Sequence, residues 1–300
     1  NFAFFQNVNI GAYYAGTKSD ASLASGDNTS YRGQFDWSPD KYGVNYEYLK
    51  VGEAFRPDTG FMRRQNFRRH FAQARYSPRP HNIRSVRKFY FEANVDYITN
   101  HTDDHVQSRL AQGTARADLQ SGDMVEVNLN SNFEDLPSAF TIAKGVVLPT
   151  GGYGYTDMNA LYRLGPQRRL AGDFTVARGQ FYDGTHTDIG YSGRVEVSPR
   201  LSVEPRISLS SVHLQEGDFV TKLLTTRATF TMTPRMFASG LVQYNSSTST
   251  FSANVRLRWE YRPGSDFFVV YSEGRDTTTG TKTPMQNRGL VVKMTRLFRF

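Results

Sequence analysis

The sequence predicts an all-β fold, an antiparallel transmembrane β-barrel of about 16 or more strands, and three of its features carry that expectation. First, apolar and polar residues alternate with a period of two. Along residues 251–261, Phe251, Ala253, Val255, Leu257, Trp259 and Tyr261 oppose Ser252, Asn254, Arg256, Arg258 and Glu260. Second, 14% of the residues are aromatic while only 38% are hydrophobic. Third, a Ser/Thr-Pro-Asp/Arg turn recurs, at Ser38-Pro39-Asp40, Ser77-Pro78-Arg79, Ser198-Pro199-Arg200 and Thr233-Pro234-Arg235. Proline fixes its own φ and has no N–H for a ladder, so it belongs at turns and not inside a central strand.

Composition narrows the function classes. No run approaches the roughly 18 apolar residues of a membrane helix, which excludes a helical membrane protein but not strands that alternate apolar-out with polar-in. The absence of cysteine rules out a disulfide scaffold and a thiolate metal site. A net charge of +8 raises the question of nucleic acid, yet Lys and Arg are spread along the chain and form no single stripe, so no nucleic-acid partner is expected. No signal peptide stands at Asn1, consistent with a mature chain or a fragment.

In chain order, a short apolar piece at residues 2–5 and a turn at Gln6-Asn7 precede a strand over 8–16, and the polar stretch 17–30 reads as an exposed loop. Strands follow over 31–37 and 42–50. A loop through Pro57 and Gly60 leads to a basic strand over 66–76, then strands over 89–97 and 106–119, with a turn at Ser121-Gly122. Residues 125–130 alternate again. Residues 132–154, with Pro137, Pro149, Gly151, Gly152 and Gly154, read as a long loop with a lumen-filling or surface role. The hairpin 155–164/170–181 turns at Gly165-Pro166, and cleaner strands follow at 189–197, 201–209, 224–232, 236–244, 251–261 and 267–273. The last strand covers 290–300, with Leu290, Val292, Met294, Phe298 and Phe300 on one face and Arg296 out of pattern among them. One domain, 1–300, is expected.

Connections are expected to alternate between short turns and longer polar loops, Gln215–Asp218 being one of the latter, as periplasmic turns and extracellular loops do in barrels. A charge on the lipid face at mid-bilayer costs about 2–4 kcal/mol, so the alternating charges are expected to face a lumen. They are Arg32, Asp36, Glu47, Glu92, Asp96, Glu126, Arg194, Glu196, Glu204, Arg206, Arg256, Arg258 and Glu260. A three-residue loop at 198–200 sets Val197 opposite Leu201, Val195 opposite Val203 and Arg194 opposite Glu204. The competing reading, a soluble β-sandwich with one wet face, struggles with so many strands carrying aromatic outward rows. Counting back from a last strand that descends, residues 8–16 ascend and residues 2–5 descend. A barrel with both ends periplasmic begins on an ascending strand, so upstream strands of a larger barrel are expected.

A strand that closes on an aromatic resembles the terminal strand of bacterial outer-membrane barrels, which implies that Phe298 and Phe300 belong to the signal read by the barrel-assembly machinery. Phe35-Asp36-Trp37, the run Tyr46 through Gly52, Phe55-Arg56-Pro57-Asp58-Thr59-Gly60-Phe61 with Arg63, Arg64, Phe67, Arg68 and Arg69, and the ending from Asn287 to Phe300 go further. They resemble the uncharacterised C-terminal domain of bacterial outer-membrane proteins with an N-terminal family 9-like carbohydrate-binding module. The resemblance implies a bacterial outer-membrane location, a missing N-terminal region and a link to glycans, and it supplies no catalytic residues.

Candidate chemistry is sparse. His101-Thr102-Asp103-Asp104-His105 holds suitable types for a divalent metal, but a third distant ligand is lacking and a hydrophilic loop tip explains it. His186-Thr187-Asp188 orients an imidazole without a nucleophile elbow nearby. The Arg63, Arg64, Arg68, Arg69 cluster suits either an anionic solute or lipopolysaccharide phosphate, or else lumen salt bridges. No enzyme activity, metal or cofactor is expected. The expected function is a pore or translocation domain, in contact with outer-membrane lipid and lipopolysaccharide, with a non-conducting membrane anchor as the alternative.

Overall fold

The structure, a computed structural model, describes residues 2–4, 7–18, 26–57, 61–62, 64–278 and 284–298, and among these no helix occurs. The strands are β1 (Phe2–Phe4), β2 (Val8–Gly16), β3 (Thr29–Trp37), β4 (Tyr42–Val51), β5 (Phe67–Tyr76), β6 (Val86–Asn100), β7 (Val106–Leu119), β8 (Met124–Leu136), β9 (Phe140–Ala143), β10 (Val146–Leu148), β11 (Gly151–Leu164), β12 (Leu170–Phe181), β13 (Gly184–Ser198), β14 (Leu201–Leu214), β15 (Gly217–Thr233), β16 (Met236–Asn245), β17 (Thr250–Arg262), β18 (Ser265–Asp276) and β19 (Met285–Met294). Seventeen of them form one antiparallel sheet. Each pairs with the next in sequence, except that β8 pairs directly with β11 while β9 and β10 form a separate hairpin. The sheet is not closed into a barrel. Among the described residues no ladder joins β19 to β1 or β2, and all ten residues of β19 are exposed.

Because the β9–β10 hairpin adds two strands outside the sheet, the up-and-down order of the sheet itself is unbroken. All four Pro turns lie at one end, after β3, β5, β13 and β15, together with the end of β19; this is called the turn end. The opposite, loop end carries the connections 17–28, 52–66 and 137–150. The asymmetry lapses further on, since Gln215–Asp218 is no long loop: β14 and β15 run up to the two residues Gln215-Glu216, and Gly217, at a φ of 143°, makes so tight a turn accessible.

β6, β13, β14 and β15 run beyond the expected 89–97, 189–197, 201–209 and 224–232, and three further places differ from the sequence pattern. The expected loop 132–154 is loop only over 137–150. β8 continues to Leu136, and Gly151, Gly152 and Gly154 lie within β11. Glycine is needed at position 152, because a Cβ there would sit 2.9 Å from the Phe133 ring. At 198–200 the ladder bulges, so Ser198, not Val197, opposes Leu201, although Val195 still opposes Val203. The last strand is β19, Met285–Met294, and not 290–300. Its partner β18 begins at Ser265, so beyond Met294, which opposes Phe267, only Asp266 and Ser265 remain, and Thr295 N donates to Asp266 O at 2.8 Å. Residues 295–298 instead fold against the start of β18, with Leu297 N donating to Ser265 Oγ at 3.0 Å. Phe298 is exposed and lies outside any strand, and Phe300 falls outside the described residues.

Register makes the two faces of the sheet chemically distinct. One carries Phe35, Tyr46, Val95, Leu129, Val176, Ile189, Val255 and Trp259, all exposed, with no second layer over them among the described residues. In β17 the apolar row from Phe251 to Trp259 is about 26 Å long at about 3.3 Å per residue, matching the roughly 25 Å apolar band of a membrane barrel. Rings gather toward the turn end: Tyr42 opposes Tyr76, Tyr76 opposes Phe91, Tyr162 opposes Phe174, and Trp259 opposes Phe267. The other face is polar.

Candidate functional site

All thirteen charges singled out above share the polar face, because each stands at even spacing from its neighbours and the ladders are in register. Period two dictates this: once one face is apolar, the residues between must turn the other way. Two networks bind this face together. Glu47 on β4 accepts from Arg32 on β3 and, at 2.9 Å, from Arg69 on β5, and Arg69 reaches on to Asp96 on β6 at 2.8 Å. Farther along, Asn94 donates to Gln112 at 3.0 Å, Gln112 to Asn130 at 2.9 Å, and Asn130 to Asp157 at 2.8 Å, an amide row across β6, β7, β8 and β11. Thr114 donates to Asn128, and Asn128 to Glu126. Polar capacity along this stretch is spent between side chains.

Pairing differs from expectation in one place. Arg194 and Glu204 do not form an ion pair; Arg194 bonds Glu196, two residues along its own strand, at 2.9 Å, and Glu204 stands opposite Arg227 on β15. Side chains at i and i+2 project on the same side, which puts Glu196 within reach of the Arg194 guanidinium. Arg258 pairs with Asp266 at 3.0 Å, and Glu260 accepts from Gly264 N.

Among the described residues two buried apolar clusters lie on this polar face, at its loop end. In one, Val146 and Leu148 of the β9–β10 hairpin pack with Leu136, Val212 and Leu214, and Leu148 is 0% exposed. Tyr153, Phe181 and Phe219 join it from β11, β12 and β15. In a flat sheet β8 and β15 would be about 24 Å apart, five strand spacings of about 4.8 Å. The β9–β10 hairpin and the side chains of the strands between bridge that distance. Burial pushes the Tyr182 hydroxyl well above its usual range, and the Glu134 carboxylate that it bonds at 2.8 Å adds to this. In the second cluster Val51, Phe55 and Phe67 pack with Ala15, Leu49, Met62 and Ile98, so the connection 52–66 also folds inward. The alternation held a signal for these inward loops: Leu49, Val51, Val212 and Leu214 are apolar residues on the polar-face register.

The candidate chemical motifs serve the loops. His101 Nδ1 accepts from Arg68 Nε at 3.0 Å and its Nε2 bonds Asp27 at 2.9 Å, which takes both ring nitrogens; among the described residues no group of His, Asp and Glu is arranged to hold a metal. The Lys50 ammonium, together with Thr29, holds the Asp27 carboxyl well below the usual range. His186 bonds Asp188 at 2.7 Å within β13. The arginine cluster divides: Arg69 lies in the polar network, Arg68 turns to the other face and pairs with Asp104, Arg64 donates to Ser108, and Arg63 falls outside the described residues.

No protein-family model matches this chain, and no curated protein matches it.

Proposed function

We propose that this sheet is the wall of a bacterial outer-membrane β-barrel whose polar face lines a lumen, and that the barrel works as a pore or translocation domain. The observation that carries the reading is the uncovered apolar face: aromatic and aliphatic side chains stand exposed along a band of membrane height while the thirteen alternating charges turn away from it. In a bilayer the edges at β2 and β19 must be satisfied, by one another or by strands between them, since an unpaired backbone has no water to bond there. The turn end faces the periplasm and the loop end the exterior. Arg109, Arg178 and Lys222, exposed on the apolar side near the loop end without carboxylate partners among the described residues, suit the phosphates of lipopolysaccharide. The link to glycan or polymer handling through an additional N-terminal domain follows from the resemblance of residues 35–69 and 287–300.

A second reading, a non-conducting barrel that anchors another domain, is favoured by the two inward loops. Planar-bilayer recording separates them. The pore reading expects discrete conductance steps that grow when Leu148→Ala loosens the hairpin, whereas silence from both forms selects the anchor. The barrel itself is tested by mobility on a denaturing gel, where identical migration of boiled and unboiled samples would count against it.

A further inference from the structure

The hydrogen-bonding capacity of the polar face is not spent evenly. Across β3 to β11 the amides and charges bond one another, but on β14 to β17 they surround an open cavity of about 330 Å³. Its floor is a grid of two rows. Arg206, Thr225, Gln243 and Ser252 stand directly opposite one another on four successive strands, and Ser208, Leu223, Asn245 and Thr250 form the row beside them. Arg206 is exposed and makes one side-chain bond, Nε to Ser192 Oγ at 3.3 Å; among the described residues no carboxylate lies within ion-pair distance of it. Ser208 and Thr225 have no side-chain partner there, and the only contact of Gln243 is a 3.4 Å bond that its carbonyl accepts from Ser252. The side-chain amide N–H groups of Gln243 and Asn245 are likewise unengaged, because Asn245 uses only its oxygen, on Ser247 N and Thr248 N.

We propose that this grid is a binding subsite for an acidic saccharide, a solute carrying a carboxylate beside several hydroxyls. The guanidinium of Arg206 supplies a planar fork that matches a carboxylate. Hydroxyls and amides at about 4.8 Å strand spacing offer alternating donors and acceptors to a ring's hydroxyl groups. A neutral sugar leaves the guanidinium without an anionic partner, and a simple carboxylate leaves the hydroxyl and amide rows unused, so both features together set the class. The inference rests on the reading of the polar face as an accessible lumen.

The test uses the full chain in lipid vesicles and planar bilayers, with D-glucuronate, D-glucose and acetate as probes. Calorimetric titration is expected to show saturable glucuronate binding, weakened about tenfold or more by Arg206→Gln. Arg200→Gln, in an exposed turn, is expected to leave it unchanged. Glucose and acetate are expected to compete poorly. Acetate competing as well as glucuronate, or an Arg206→Gln protein of unaltered heat-dependent gel mobility that binds as before, would overturn the proposal. Conductance of the same preparation separates the two ideas. A conducting barrel indifferent to glucuronate removes the subsite and keeps the pore, while binding without conductance keeps the subsite and removes the pore.

Discussion

Glu47 shows how much a single carboxylate holds together on the polar face. Its side chain is 11% exposed and serves Arg32 and Arg69 together, so its loss leaves Arg69 with Asp96 as its carboxylate and Arg32 with only the Gln34 carbonyl. Removing one partner of a buried ion pair costs about 3–5 kcal/mol. Glu47→Ala is therefore expected to lower stability by about 3 kcal/mol in urea unfolding from vesicles, and to move the reversal potential of a conducting barrel toward anions. A different constraint acts where β12 meets β13. Gly172 opposes Gly193, and a Cβ on Gly172 would sit 2.4 Å from the Gly193 Cα, while the Tyr191 hydroxyl bonds Ala171 O at 3.1 Å beside them. At this scale the sequence is half legible. That Arg194 faces the polar side follows from parity; that it bonds Glu196 and not Glu204 depends on side-chain reach, which alternation does not encode.

Among the elements, the turns 120–123 and 165–169 are tied by one side chain. The Asp123 carboxylate accepts from Arg168 Nη2 at 2.6 Å, from Gly165 N at 2.8 Å and from Ser121 Oγ at 3.0 Å. The Arg168 guanidinium and the Gly165 N–H lower its pKa from 3.8 to about 2. A carboxyl lowered in the folded state contributes stability that is fully present above its unfolded value and is lost as pH falls through the folded one. Amide exchange at Gly165, corrected for the intrinsic pH dependence, is expected to accelerate between about pH 4 and 2 and to stay flat between about pH 7 and 5. Asp123→Asn is expected to exchange fast throughout. Element identity was legible wherever alternation was strict, as in β13, β14 and β17. It failed at Gly151, Gly152 and Gly154, glycines inside a strand, of which Gly152 answers to the ring of Phe133 on the neighbouring one, a requirement set across the ladder. The β9–β10 hairpin was equally opaque, because its partners on β14 and β15 lie more than 60 residues downstream, from Leu148 to Val212.

For the molecule as a whole, the proposed membrane setting turns on the two opposed faces. The only two tryptophans, Trp37 and Trp259, are 37% and 47% exposed on the apolar face, and both stand near the turn end. Indole rings favour the headgroup level of a membrane. Brominated lipids are expected to quench the intrinsic fluorescence most strongly when the bromines sit high on the acyl chain; equal quenching at all depths, or none, would contradict this orientation. The all-β class and the two faces were readable from period and composition because each strand decides its own parity locally. Closure was not, since it concerns edges that no local pattern describes.

The direct pairing of β8 with β11 has a consequence for design and for divergence. The chain leaves the sheet at Leu136 and rejoins it at Gly151, residues that already stand opposite one another in the ladder. A short reverse turn in place of residues 137–150 would thus convert the site into an ordinary hairpin without moving any strand. The segment that carries the β9–β10 hairpin onto the polar face is an exchangeable insert, so descendants of this scaffold are free to change what covers that face without rebuilding the sheet.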